Sequence, residues 1–380
     1  MALRFALAAS ALALTACNGG ATTPEATSSG VAVALTPVAE GLEFPWGMVF
    51  LPNGDMLVTE REGRLRILRD GALDPTPIAG TPEAYVARQG GYLGLALDPA
   101  FEENRLVYLA YSKGPADANG TAVVRGRLSE DAARLDDVEE IFLSSTRDTT
   151  LHYGGRLQFL SDGTLIVTLG DGFRYMQEAQ NVENTHGKIV RINSDGSVPA
   201  DNPNAAAGGL AATVYSHGHR NVQGIAYDAE TGALYAHEHG PKGGDELNLI
   251  EPGVNYGWPS ITYGVNYDGT IITNDTEREG MAQPMVQWVP SIAPSGMALY
   301  TGEAYPGWTG DLFIGAMNGP RGQKLVRIDL EDGAVAGQED LLADAGIAYR
   351  DVVQGPDGLL YLATADLDGT IYRLDIAPGS

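Results

Sequence analysis

The stretch Phe159-Leu-Ser-Asp-Gly-Thr-Leu-Ile-Val-Thr168 places an Asp-Gly turn before a run of strand-forming residues. An Asp-Gly or Asn-Gly pair bounded by apolar residues at period two is a hairpin signal. The same unit recurs as Phe50-Leu-Pro-Asn-Gly-Asp-Met-Leu-Val-Thr59 and as Tyr227-Asp-Ala-Glu-Thr-Gly-Ala-Leu-Tyr235. It returns as Gly310-Asp-Leu-Phe-Ile-Gly315 and as Gly355-Pro-Asp-Gly-Leu-Leu-Tyr-Leu-Ala-Thr364. A looser copy runs from Leu97-Asp-Pro-Ala-Phe101 to Leu106-Val-Tyr-Leu-Ala-Tyr111. A next strand follows at 63–68, 324–329 and 369–374. The six copies start near residues 50, 97, 159, 227, 310 and 355. No stretch keeps a helical period over several turns. Repeats of this size, with about four strands each around a channel, make a β-propeller. The expectation is an all-β, six-bladed β-propeller over residues 31–380, with surplus length in loops at 172–215 and 256–307. A pair of β-sandwiches is the alternative. In a propeller, chemistry belongs to the long loops around one mouth of the channel.

Composition narrows the function. The 380 residues are 44% hydrophobic and 19% charged, which supports a large core and excludes wholesale disorder. The 49 glycines suit many tight turns. Lys+Arg number 24 against 49 Asp+Glu, a formal charge of −25. Such a surface repels phosphate backbones, so no nucleic-acid partner is expected. The acidity suits an exported protein, or one that holds Ca²⁺ through carboxylates and carbonyls.

Residues 1–16 read as a lipoprotein signal peptide: Arg4 precedes an apolar run too short to span a bilayer. Leu14-Thr15-Ala16-Cys17 resembles a bacterial lipobox, which implies cleavage before Cys17 and its lipidation. Cys17 is the one cysteine, so no disulfide forms within the chain. Residues 17–30 then read as a lipidated cysteine and a flexible tether. Asn18 in that pattern implies the outer membrane, facing the periplasm, with the lipid as the only membrane contact.

All six histidines (152, 186, 217, 219, 237 and 239) fall in one part of the chain. His217-Gly-His219 and His237-Glu-His239 could each chelate zinc from one side of a strand, but no Cys or HExxH motif supports it. Loop support through hydrogen bonds is the competing role. Gly240-Pro-Lys-Gly-Gly-Asp-Glu-Leu-Asn248 exposes carbonyls in a turn, which suits Ca²⁺ or simply a tight turn. Leu151-His152-Tyr-Gly-Gly-Arg156 precedes a strand ending in Gly170-Asp171. A neutral His with a carboxylate behind it is a general-base arrangement. Trp46, Trp258, Trp288 and Trp308 either stack on a sugar or cofactor or pack between blades, and Trp258 is the strongest candidate for stacking.

Taken in order, these motifs resemble the soluble quinoprotein glucose/sorbosone dehydrogenases, closest to the aldose sugar dehydrogenase branch. The carriers are Phe44-Pro-Trp-Gly47, Gln89-Gly-Gly-Tyr-Leu-Gly94, His152-Tyr-Gly-Gly-Arg156, Gly170-Asp171, His219-Arg-Asn-Val-Gln-Gly224, Glu238-His-Gly-Pro241, Asp245-Glu-Leu-Asn248, Asn255-Tyr-Gly-Trp-Pro259 and Tyr349-Arg-Asp351. The resemblance implies a six-bladed propeller that uses pyrroloquinoline quinone (PQQ) and Ca²⁺ to oxidise aldoses at C1. It implies His152 as the base, Asp171 as its support, and hydride transfer from C1 to the quinone. Arg220 matches the arginine beside the quinone oxygen that gains charge. Asn221, Gln223 and Arg350 match cofactor contacts, and Gln89 a residue near the sugar. Gly240 and Pro241 match the Ca²⁺-binding carbonyls, and Glu246 and Tyr256 part of a second Ca²⁺ site. An envelope electron acceptor, a quinone or small redox protein, would follow. Both monomers and homodimers fit the resemblance.

The chain departs from the glucose branch at two places. Position 348 is Ala where a basic residue is often found, and Arg321 or Lys324 would have to substitute for a second missing cation. Leu151 stands where that branch often has Asp, which points to broad aldose use. Two other readings remain at this stage. One is a non-catalytic propeller that binds sugar or protein at the outer membrane; the other is a metal-dependent lactonase.

Overall fold

The computed structural model describes residues 29–318 and 323–377. Cys17, the signal peptide and Arg321 lie outside the described residues.

Among the described residues, strands form six four-stranded antiparallel sheets. The first strand, β1 (Val33–Leu42), belongs to the last blade, and blade 1 comprises β2 (Pro45–Phe50), β3 (Met56–Glu60), β4 (Arg64–Arg69) and β5 (Ala72–Leu73). Blade 2 has β6 (Tyr92–Leu97), β7 (Leu106–Lys113), β8 (Gly120–Leu128) and β9 (Leu135–Leu143). Blade 3 has β10 (Leu157–Phe159), β11 (Leu165–Thr168), β12 (Lys188–Ile192) and β13 (Val214–His217). Blade 4 has β14 (Val222–Tyr227), β15 (Leu234–Glu238), β16 (Asp245–Leu249) and β17 (Val286–Trp288). Blade 5 has β18 (Pro294–Leu299), β19 (Leu312–Ala316), β20 (Lys324–Glu331) and β21 (Ala334–Leu341). Blade 6 joins β22 (Tyr349–Gln354), β23 (Leu360–Thr364) and β24 (Gly369–Ile376) to β1 (Val33–Leu42). The first strands of the blades neighbour one another around the channel. The pairing of β1 with β24 closes the ring without a disulfide, from Val33↔Ile376 to Leu42↔Gly369. The structure is the expected six-bladed propeller.

The second strands explain why the repeat reads as an apolar run rather than as an apolar–polar alternation. In β11, Leu165 and Val167 join the core shared with blade 2, while Ile166 joins the core shared with blade 4. In β3, Met56 and Val58 face blade 6 and Leu57 faces blade 2. In β19, Leu312 and Ile314 face blade 4 and Phe313 faces blade 6. Both faces of each blade are buried, so period two sorts residues between two interfaces. Each such side chain contributes about 1.5–3 kcal/mol through burial.

The repeated Asp-Gly and Asn-Gly turns join the first and second strands of a blade. Asp162 Oδ1 accepts from Thr164 N at 2.9 Å, and Gly163 takes φ 79. Gly54 and Gly358 repeat this with φ 90 and 77. Glycine supplies the left-handed conformation at no Cβ cost. All these turns lie on the face opposite the site described below.

The loop expectations need correction. The stretch 172–215 contains β12 and the start of β13, and 256–307 contains β17 and β18. Only three residues long, β17 offers too few alternations to be recognised in Pro284-Met-Val-Gln-Trp-Val-Pro290.

Candidate active site

The mouth opposite the repeated turns is built from segments that lead into first strands and follow second strands. His152 precedes β10, and Asp171 follows β11. His152 Nδ1 lies 2.6 Å from Asp171 Oδ1, and both side chains are buried. Asp171 Oδ2 accepts from Trp258 Nε1 at 2.8 Å, and Oδ1 also accepts from Phe173 N at 2.7 Å. Burial alone would raise the Asp171 pKa, but His152, Arg220 and the Phe173 N–H together hold it below the usual carboxylate value. The His152 pKa is lowered, first by burial and then by repulsion from Arg220, against the pull of Asp171. The pair therefore rests at neutral pH as a carboxylate and a neutral imidazole. An ionised Asp171 only accepts, so Nδ1 carries the proton and Nε2 keeps its lone pair. Among the described residues Nε2 has no hydrogen-bond partner.

The backbone around this pair is tightly held. His152 has φ 57, in the left-handed region, and its N–H donates to Gln89 Oε1 at 2.7 Å. A side chain at Gly170 would meet Asn221 Oδ1 at 2.8 Å and overlap the His152 carbonyl. Asp171 N donates to Arg220 O at 2.8 Å, which ties blade 3 to the entry of blade 4.

Arg220 is buried, and its Nη1 donates to the carbonyls of His239 at 3.0 Å and Gly240 at 2.7 Å. Asn221 Oδ1 accepts from Gly154 N at 3.2 Å, which leaves its amide N–H₂ as donor. Gln223 Oε1 accepts from Arg350 Nη1 at 3.4 Å. Gln89, Asn221, Gln223 and Arg350 bound one cavity beside the His152 loop. Seven of the sequence-selected residues thus meet at one mouth: His152, Asp171, Arg220, Asn221, Gln223, Arg350 and Gln89. Gly240 and Pro241 border an adjoining hollow that shares His239 with that cavity.

The donors fit the implied groups unevenly. Arg350 has no acidic ion-pair partner among the described residues, which suits an anionic cofactor. The carbonyls at 240 and 241 are the hard oxygen donors Ca²⁺ prefers. Gly240 O already accepts from Arg220, so one of its two lone pairs remains for a cation. Glu246 sits opposite Glu238 in the β15–β16 ladder and opposite Gln287 in β16–β17. Asn248 Oδ1 and Gln287 Oε1 are buried without partners, and burial raises the pKa of both glutamates. Tyr256 does not place its hydroxyl there: that group donates to Leu249 O at 2.7 Å and accepts from Glu251 N at 2.8 Å.

Several expectations change. The two His-X-His pairs do not converge on a zinc site. His219 lies against Glu238 and Ser216, and His239 Nε2 bonds Pro294 O at 2.6 Å. His237 is buried against Gly224. Among the described residues no three His, Cys, Asp or Glu side chains cluster as a metal site. Lys324 does not bound this cavity: it opens β20 opposite Ala316, and its Nζ lies 2.7 Å from Asp340 Oδ2. Trp258 has a further role beside the stacking expected of its ring: its indole N–H is fixed in the ring plane on Asp171. Trp288 bonds Gln338 across to blade 5 at 2.9 Å, and Trp308 packs in an aromatic cluster with Tyr305 and Phe313. Sequence reading passed over Phe173, whose exposed ring meets the edge of His152 at 5.3 Å, and Arg61, which bounds the same cavity as Arg350. The only local sign of Arg61 was a basic residue directly after a second strand, at the mouth end of the blade.

Comparison with known proteins gives the family. Residues 42–373 match the Glucose / Sorbosone dehydrogenase family. The chain is 38% identical to aldose sugar dehydrogenase YliI of Escherichia coli (strain K12), over 90% of this chain and 92% of the relative. A crystal structure of a glucose dehydrogenase superposes with TM-score 0.85 at 42% identity, covering 90% of this chain and 99% of the other. The PQQ-bound aldose sugar dehydrogenase of Streptomyces coelicolor gives TM-score 0.76 at 29% identity, covering 93% and 99%. The chain belongs to the glucose/sorbosone dehydrogenase family. Within it, the protein is an oxidoreductase of the PQQ sugar dehydrogenase type.

Proposed function

We propose that the protein oxidises aldose sugars at C1 to the corresponding lactones, with PQQ and Ca²⁺ as cofactors. The observation that carries this reading is the buried His152–Asp171 pair beside a cavity bounded by Arg350, Gln223 and Asn221. His152 Nε2 takes the proton of the C1 hydroxyl. Asp171 keeps the ring in the tautomer that leaves Nε2 open and stabilises the imidazolium formed. As the proton leaves, the C1–H bond breaks with its electron pair and C1 becomes the lactone carbonyl carbon. PQQ, when bound, supplies the acceptor for that hydride. Arg220 places a fixed guanidinium where negative charge collects, worth roughly 3 kcal/mol by analogy with oxyanion donors. Arg350, Gln223 and Asn221 hold the cofactor, Gln89 orders the His152 loop on the sugar side, and Gly240 and Pro241 offer carbonyls to Ca²⁺. Glu246 and the Tyr256 backbone are assigned to a second, structural cation. Leu151 in place of an acidic residue fits broad aldose use.

The same reading places the protein in the cell envelope, anchored through Cys17 to the outer membrane and facing the periplasm. A membrane quinone or small redox protein there would remove the electrons. Reconstitution of the protein lacking residues 1–17 with PQQ and Ca²⁺ tests the chemistry. Dye reduction by a panel of aldoses that requires both cofactors, and is lost in His152→Ala, is the expected result. A protein that neither binds PQQ nor oxidises any aldose overturns it in favour of a binding propeller.

A further inference from the structure

A protein of formal charge −25 gathers guanidinium groups around one cavity. Arg156, which lies beneath that cavity's lining in a neighbouring hollow, is neutralised, with Nη1 at 2.5 Å from Asp351 Oδ1. Arg350 is not: its one side-chain hydrogen bond is the 3.4 Å contact to Gln223 Oε1. Burial, followed by repulsion from Arg156, pushes the Arg350 pKa down to about 10, and Arg61 adds to that repulsion. Asp351 opposes that shift but makes no ion pair with Arg350, so this half-buried guanidinium favours an anion beside it.

Arg61 bounds the same cavity. Its acidic contact is Glu62 Oε1 at 3.5 Å, where both side chains are partly exposed. An exposed pair of that length contributes little. The guanidinium is instead laid over the Phe44 ring, 3.9 Å from its centroid. Phe44 takes φ 48 and donates its N–H to Asp366 O at 2.9 Å. The Arg61 backbone is pinned on both sides, by Phe44 O at 3.1 Å and Tyr92 N at 3.2 Å. Arg61 is therefore aimed by the fold. Position 348 contributes no charge, and its carbonyl accepts from Ala365 N at 2.9 Å.

We propose that Arg61 is a cofactor-binding residue that, together with Arg350, grips the carboxylates of the quinone, and so supplies the positive charge absent at Ala348. This rests on the PQQ reading above. Two guanidiniums on one cavity suit a ligand carrying several carboxylates, because each offers paired N–H donors to one carboxylate.

The test is a PQQ titration of the protein lacking residues 1–17, in Ca²⁺, followed by tryptophan quenching or calorimetry without any sugar. Arg61→Ala is expected to weaken binding about tenfold or more, and Arg61→Lys to restore part of the loss. The trimethyl ester of PQQ, which lacks the charges, should bind wild type and Arg61→Ala within about twofold of each other. Melting curves check that both variants fold. If wild type and Arg61→Ala bind PQQ equally, the Arg61 assignment falls and the dehydrogenase reading stands. A tenfold gap that persists with the ester means Arg61 acts only by packing on Phe44, which also overturns it. A wild type that does not bind PQQ at all overturns both.

Discussion

The two ends of β11 obey different rules. Gly163, before the strand, has φ 79 and open space around its missing side chain. Gly170, after the strand, has a side-chain position already filled by the His152 carbonyl and Asn221 Oδ1. At the first end a glycine is needed for the conformation of its own backbone. At the second it is needed because two other segments pass through the same space. The turn end repeats around the ring, since every blade needs the same reversal. The mouth end is different in each blade, since its neighbours differ. Scaffold and site are thus separated by the length of a strand.

Substitutions at the two ends should separate activity from stability. The largest effect is expected for His152→Ala, a loss of about 10³-fold in kcat, read on protein that melting curves show to be folded. Gly170→Ala should follow, with about 10²-fold lower activity, because the new methyl displaces the His152 backbone; retained activity would mean the mouth yields as easily as the turns.

Two smaller changes sharpen the picture of the mouth. Trp258→Phe removes the N–H from Asp171 and should lower kcat about tenfold with the sugar KM little changed. The pH profile gives an independent check. His152 works as a base only when neutral, and its pKa is below the usual 6.5, so kcat should rise with pH and reach half its maximum below pH 6.5. Asp171 raises that pKa, so Asp171→Asn should move the acid limb to still lower pH while reducing kcat. A limb that moves upward would show that Asp171 does not act on His152 as a charge.

The smallest effect belongs to the opposite face. Gly163→Ala should cost about 1 kcal/mol of stability, read by denaturant unfolding, and leave kcat unchanged. A loss of activity there would break the separation between the two ends.

The repeat was legible because each turn is local: Asp162, Gly163 and Thr164 are consecutive, and their hydrogen bonds close within five residues. The candidate site was partly legible through short motifs such as His152-Tyr-Gly-Gly-Arg156, where one segment carries both the functional side chain and the glycines that let it approach β11. Arg61 was not legible, because its significance is the lack of a counter-ion for Arg350, 289 positions away in the chain. Trp258 was read for its ring, while the fold uses its N–H. The zinc reading of the His-X-His pairs failed for a related reason. Strand spacing says which side chains share a face, and says nothing of the partner already waiting there, such as Glu238 for His219.

The sequence by itself determined the six-fold repetition, the hairpin turns, the apolar runs that bury both faces of each blade, and the histidine-rich segment that supplies the mouth. These depend on interactions among near neighbours and on a solvent that excludes apolar surface. Tertiary structure alone decided which carboxylate meets His152, which indole meets Asp171, and which two arginines share a cavity. Closing the ring brings blade 1 against blades 2 and 6, and charge and hydrogen bonding act over the few ångströms that result, whatever the separation along the chain.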